Sequence, residues 1–167
     1  MIRLVAAGVL LGLASCARNG AESKPVDRSS QSATSAPVIT LERTACFGSC
    51  PVYTISVSPS GEVQYEGRAH VRQLGAATGR VPRERVDSLL SELDRGGYFT
   101  FAERYTSSEP TCGRYVTDSP SIITSVTLRG RTKRITHDYG CGAAPGALMV
   151  LEHRIDEALN SEQWTGR

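Results

Sequence analysis

Two strand-like runs separated by a closely spaced pair of cysteines leave this chain few ways to fold. Val38-Ile39-Thr40-Leu41-Glu42-Arg43 comes first, then Cys46-Phe47-Gly48-Ser49-Cys50-Pro51, then Tyr53-Thr54-Ile55-Ser56-Val57-Ser58. The last run alternates apolar and polar residues, the mark of a half-buried strand. Pairing the two runs as a hairpin, with Phe47-Gly48-Ser49 as a three-residue loop, lets Gly48 take a positive φ at the turn. In that register Cys46 faces Cys50, Leu41 faces Ile55 and Ile39 faces Val57, so the apolar residues meet on one face without adjustment. Opposed residues of an antiparallel pair have Cα atoms about 4.5–5.5 Å apart, within the reach of a disulfide.

Three uses of Cys46 and Cys50 are chemically open. A structural disulfide closing the hairpin needs only an oxidising compartment. A redox-active pair ordinarily sits at a helix N-terminus, which lowers the thiol pKa, whereas a strand follows here. The third use is a soft-metal site, because Cys46-x-x-x-Cys50-Pro51 resembles the copper-binding motif of thioredoxin-fold copper chaperones, with His70 or His137 as distant ligands. The alternating strand after Pro51 argues against that fold and favours the structural bond.

Residues 1–15 read as an export signal. Arg3 gives a positive start, and Leu4 to Leu13 is an apolar run too short to span a bilayer. The run ends in Leu13-Ala14-Ser15-Cys16, which resembles the lipobox of bacterial lipoproteins. The resemblance implies cleavage before Cys16 and acylation, palmitate included, of its thiol and new amino group. Ala17 stands where a retention Asp would, so the resemblance also implies the periplasmic face of the outer membrane. Several acyl chains anchor stably where one holds only marginally. Residues 16–37 carry almost nothing large and apolar, so they are expected to form a flexible tether behind the lipidated cysteine. Residues 38–167 then make one domain. The formal charge of +2 becomes +1 when Arg3 is removed, which together with export points away from a nucleic-acid partner.

Along the domain, Ser58-Pro59-Ser60-Gly61 is a turn, and residues 62–67 form a third strand with Val63 and Tyr65 on one face. Residues 70–80 read either as a loop or as a ragged edge strand. Pro82 opens a helix whose Val86, Leu89, Leu90 and Leu93 make one apolar stripe, and Gly96-Gly97 ends it. Tyr98, Phe99 and Phe101 are core plugs. Residues 103–120 are long, polar and irregular. Ile122, Thr124, Val126 and Leu128 alternate as a fourth strand, Arg129-Gly130 is a two-residue turn, and residues 131–137 return as a fifth strand. Its Arg131, Lys133 and Arg134 belong at an exposed edge. Pro145 starts a second helix with the stripe Leu148, Leu151, Ile155 and Leu159, and Trp164 docks the tail. The expected fold is α+β: a two-layer, mostly antiparallel five-stranded sheet in the order β-β-β-α-β-β-α with two helices on one face. The Arg129-Gly130 turn sets residue 118 opposite 141 and brings Cys112, just upstream, within reach of Cys141. The expected bonds are therefore Cys46–Cys50 and Cys112–Cys141.

The CFGSCPVY stretch, followed by Gly61 in the next turn, resembles an uncharacterised bacterial domain family of unknown function with the motif CFGxCPxY, found in exported lipoproteins and beside repeat modules. The similarity runs through the helix ending near Gly96 and the Thr117-Asp118-x-Pro120 segment to the Ile155-Asp156 helix and Trp164. It implies no activity, and Cys112 and Cys141 look like features of a subset. His70, His137, Asp138, Asp118 and Glu103 are the polar residues from which a nucleophile–base set could be assembled. No stretch resembles a nucleophile elbow, a phosphate loop or a zinc-ligand pair. His137 and Asp138 are neighbours on a strand and point to opposite faces. The sequence is thus read as a lipid-anchored envelope protein with a small non-catalytic binding or structural domain. It is expected to need no cofactor and to take an envelope protein or peptide as partner. Copper binding or thiol redox at Cys46 and Cys50 is the alternative, and a hydrolase ranks last.

Overall fold

The structure, a computed structural model, describes residues 35–166. Cys16, the export signal and most of the tether lie outside the described residues. Seven strands form one sheet: β1 (Ile39–Arg43), β2 (Val52–Val57), β3 (Glu62–Ala69), β4 (Gly75–Arg80), β5 (Arg104–Tyr105), β6 (Ser121–Leu128) and β7 (Arg131–Asp138). Three helices accompany them: α1 (Arg83–Arg95), α2 (Gly146–Ala158) and α3 (Glu162–Thr165). The strand order is β4-β3-β2-β1-β6-β7-β5. Every neighbouring pair is antiparallel except β5 and β7, which run parallel.

The five-stranded, mostly antiparallel sheet with two helices is therefore corrected to a seven-stranded mixed sheet with three helices. The two added strands have a common cause, the lack of a hydrophobic period. In β4 the residues opposite inward-facing Val63, Tyr65 and Gly67 are Gly79, Ala77 and Gly75. A Cβ on Gly79 would lie 3.0 Å from the Trp164 ring, so the aromatic side chain of α3 fills the space that a strand residue would normally mark. β5 has two residues, too few to carry any period. It covers β7 only at Thr136 and His137, so Arg131 and Arg134 are exposed on an uncovered stretch of edge, as expected, whereas Lys133 is half-buried. Lys133 Nζ instead donates to the carbonyls of Phe99, at 3.4 Å, and Phe101. The Arg131 guanidinium lies 3.9 Å above the Phe99 ring.

Where one strand face is buried, the alternation fixes the register. Ile39 pairs with Val57 and Leu41 with Ile55, and Leu128 pairs with Arg131 across the Arg129-Gly130 turn. Arg129 and Gly130 both have positive φ, 51° and 76°, as a two-residue turn that follows strand twist requires. The β1–β2 ladder stops at Arg43–Tyr53, however, so the connection is residues 44–51 rather than a three-residue loop. Thr44 is drawn to the β6 side, its amide donating to the Ser121 carbonyl at 3.0 Å and its hydroxyl accepting from the Ser121 amide at 2.8 Å. The Phe47 amide donates to the Asp118 carbonyl at 3.1 Å, which ties the loop to the segment before β6.

Alternate strand residues, Ile39, Leu41, Ile55, Val57, Val63, Ile122, Val126 and Ile135 among them, share one core with the stripes of α1 and α2. Val86, Leu89, Leu90 and Leu93 are the buried residues of α1, and Leu148, Leu151 and Ile155 are buried on α2. Tyr98 is fully buried and its hydroxyl meets Thr124 Oγ1 at 2.7 Å. Trp164 stacks on Tyr65 with ring centroids 5.0 Å apart, and its carbonyl accepts from the Gln73 amide. Among the described residues no helix is long and apolar enough to cross a membrane.

Candidate functional site

Arg43 holds the same strand parity as Ile39 and Leu41, so its side chain turns inward at the very end of β1. Tyr53 is its cross-strand partner at the start of β2. Asp156 follows buried Ile155 in the last turns of α2 and comes over both of them. The three side chains close on one another. Arg43 donates to one Asp156 oxygen from Nε at 2.9 Å and from NH2 at 2.6 Å. Tyr53 donates to the other oxygen at 2.6 Å and accepts from Arg43 Nε at 3.0 Å. The Arg43 and Asp156 side chains are 14% and 13% exposed. Burial works against the charge on Arg43, but Asp156 and Tyr53 outweigh it and hold the guanidinium above its ordinary range. Burial, then the Asp156 carboxylate, pushes the Tyr53 phenol well above the usual tyrosine range.

This triad lies in the wall of a half-open groove of about 500 Å³. Tyr53, Ser161 and Thr165 are buried in its lining, while His153, Glu157, Asn160 and Glu162 are exposed along its rim. Asn160 has a positive φ of 55°, which turns the chain out of α2 and into α3 so that both helices contribute to the same groove.

A second polar group lies beneath the triad. Glu152, one helical turn before Asp156, is completely buried and accepts from the Tyr139 hydroxyl at 3.1 Å. Both of its oxygens face Nδ1 of His137, at 3.0 and 3.1 Å. The His137 side chain is 2% exposed, with the Tyr105 and Tyr139 rings against it. Burial and then Glu152 push the Tyr139 phenol up to about 12, against a lowering influence of Arg43. Arg43 and Glu152 thus act on one hydroxyl, and the polar groups run from groove to core along the inner side of α2.

The other residues singled out in the sequence do not meet at this site. Asp138 faces away from His137, accepting from the Gly140 amide at 2.8 Å and the Tyr115 hydroxyl at 3.2 Å. Asp118 is exposed with a φ of 69° and accepts from Thr117. Glu103 is exposed and lends its carbonyl to the Thr136 amide. His70 occupies the exposed β3–β4 turn with a φ of 54°. Cys46 and Cys50 form one disulfide-distance pair in the β1–β2 loop, with Cα atoms 5.8 Å apart. Cys112 and Cys141 form the other, with Cα atoms 4.5 Å apart. Among the described residues no three His, Cys, Asp or Glu side chains gather as a metal site. Sequence reasoning missed Arg43, Glu152 and the meeting of Tyr53 with Asp156. A signal existed for the first two, since each puts a charge where the strand or helix period calls for an apolar residue.

A family model described as a domain of unknown function, DUF6438, matches residues 37–159. The chain belongs to this family. The DUF6438 segment runs from β1 to the end of α2 and contains the Arg43–Tyr53–Asp156 triad together with His137, Tyr139 and Glu152. Asn160, Ser161, Glu162 and Thr165, which complete the groove lining, follow the matched segment. No curated protein matches the chain.

Proposed function

We propose that this DUF6438 protein is an exported, lipid-anchored protein of the bacterial envelope whose folded domain binds a partner rather than catalyses a reaction. The groove over Arg43, Tyr53 and Asp156 is the binding site. The observation that carries this reading is that the ionisable centre of the groove is closed on itself. Both Asp156 oxygens are engaged, Arg43 is shared between Asp156 and Tyr53, and the Tyr53 phenol is held protonated. A general base or nucleophile needs a free lone pair within reach of substrate. Here the neutralised triad offers a rigid wall of fixed dipoles instead, under a rim of His153, Glu157, Asn160 and Glu162. The His137–Glu152 pair lies buried below that wall. Shape with a few placed polar groups is what a binding groove requires.

Export is supported by the lipobox-like Leu13-Ala14-Ser15-Cys16 and by two cysteine pairs at bonding distance, since such bonds persist in oxidising compartments. Cys16 is the lipid attachment site, residues 16–37 are the tether, and the domain stands on the periplasmic face of the outer membrane with an envelope protein or peptide as partner. Two measurements test this. Cells fed labelled palmitate should label the wild type and not Cys16→Ser; wild type found soluble and unlabelled overturns the anchor. A photo-crosslinking residue placed at Glu157 or Glu162 should capture a discrete partner in living cells. That adduct should disappear when His153→Trp fills the groove. Adducts at the rim no stronger than at Arg85, on the exposed side of α1, overturn the groove as the site.

A further inference from the structure

We propose that the outer edge of β4 takes up an extended, acid-flanked peptide segment of a partner protein as an added strand. β4 ends the sheet. Among the described residues, no main-chain hydrogen bond joins residues 75–80 to anything but β3. Alternate residues of such a strand turn their amides and carbonyls outward, and those groups template a further strand. Natural edges are usually blunted by lysine, proline, a bulge or extreme shortness. β4 has none of these protections. It pairs with β3 over six consecutive positions without a register shift, and its sequence Gly-Ala-Ala-Thr-Gly-Arg keeps its one charge for the last place. At the opposite edge β5 is two residues long and covers β7 only at Thr136 and His137, and the rest of that edge carries Arg131, Lys133 and Arg134, the kind of charges that blunt an edge. Side chains as small as those of residues 75–79 also let another backbone approach closely.

Charge decides the occupant. Arg72 precedes β4 and is exposed. Arg80 and Arg83 follow at its other end, with side chains 65% and 72% exposed. Their contacts, to Glu62 at 3.1 Å and Asp87 at 3.7 Å, are surface pairs that exchange readily with another carboxylate. A second copy of this chain pairing antiparallel through β4 would set each Arg72 against the partner copy's Arg80 and Arg83 end, so like charges would meet at both ends. A peptide with acidic residues at both ends meets cations at both. Main-chain pairing supplies the affinity, and the terminal charges select the partner.

The test uses the full-length protein and an alternating Thr-Val hexapeptide capped by an Asp pair at each end. Hydrogen exchange should show new protection at residues 75–80 on peptide addition. The same peptide capped by Lys should bind about tenfold more weakly, as two exchanged surface charge contacts allow. Arg72→Glu with Arg83→Glu should reverse that preference. Two versions of the acidic peptide, N-methylated at odd or at even positions, separate strand addition from charge attraction, because only one set of amides faces β4. One version should lose binding and the other keep it. Equal binding of both versions, binding without protection at 75–80, or no binding at millimolar peptide overturns the proposal. Edge protection that appears without peptide and rises with protein concentration assigns the edge to a second copy and overturns the proposed occupant.

Discussion

Replacing Asp156 alone should destabilise the domain more than replacing Asp156 and Arg43 together with apolar residues. Asp156→Leu would abandon two Arg43 contacts, at 2.9 and 2.6 Å, and the Tyr53 hydroxyl at 2.6 Å. One-sided loss of a buried ion pair costs about 3–5 kcal/mol, because the remaining charge stays buried without its partner. Here Arg43 keeps 14% exposure and the Tyr53 oxygen at 3.0 Å, so some compensation remains. The expected loss is about 2–4 kcal/mol. Arg43→Met leaves Asp156 with the Tyr53 donor and should cost about 2–3 kcal/mol. Arg43→Met with Asp156→Leu replaces the pair with apolar groups of similar size, a change that is often close to neutral, so the double variant should lose no more than about 2 kcal/mol. The double-mutant cycle then gives a coupling of at least about 2 kcal/mol. Urea unfolding with the disulfides intact measures it. Trp164, the single tryptophan, stacks on Tyr65 beside the groove and reports the transition. Single losses under about 1 kcal/mol, or a coupling under about 0.5 kcal/mol, would show a solvated triad and refute a rigid groove centre.

Alkali should unfold the protein through its buried tyrosines. Tyr53, Tyr98 and Tyr139 are all raised above the ordinary 10.0, chiefly by burial, and Tyr139 reaches about 12. The native state keeps protons that the unfolded chain loses, so stability is intact below about pH 10 and falls above it, by at most about 1.4 kcal/mol per pH unit for each such tyrosine. Tyr98→Phe should flatten that slope, and an unchanged slope would refute the assignment. Among the cysteines, replacing Cys112 and Cys141, 29 positions apart, should cost about 3–4 kcal/mol, and replacing Cys46 and Cys50, 4 apart, about 2 kcal/mol. Melting of the two double-alanine variants checks the order, and a reversed order would count against it.

The sheet was legible wherever a side-chain period could be seen. Ile39, Leu41, Ile55 and Val57 occur at alternate positions with one buried face, and only one register puts them together. The same holds for β6 and β7, where a turn with positive φ at both residues pins the pairing. β4 was illegible for the opposite reason. Its inward positions are Gly75, Ala77 and Gly79, and the residue that completes the packing there is Trp164, far away in sequence. The β1–β2 loop was misjudged because hairpin rules weigh only local geometry. Thr44 exchanges hydrogen bonds with Ser121 instead, and the Phe47 amide donates to the Asp118 carbonyl, which no local pattern announces.

The site was half legible, and the division is physical. A charge at an inward position must find a partner, because burying it alone costs more than a small domain can spare. Arg43 sits where Ile39 and Leu41 predict another apolar residue, and Glu152 stands among Leu148, Leu151 and Ile155. Each position by itself therefore announces a buried polar contact. Which partner answers is a matter of three-dimensional adjacency, and Arg43 and Asp156 are 113 positions apart. Tyr53 and Asp156 both lie in stretches that carry the family resemblance, but only the fold makes them neighbours. Because α2 supplies both Glu152 and Asp156 from one face, any change that shifts the helix disturbs both polar groups at once. Stability and groove geometry in this domain are therefore coupled through α2. A substitution there that leaves the fold intact but moves the triad is what would separate them.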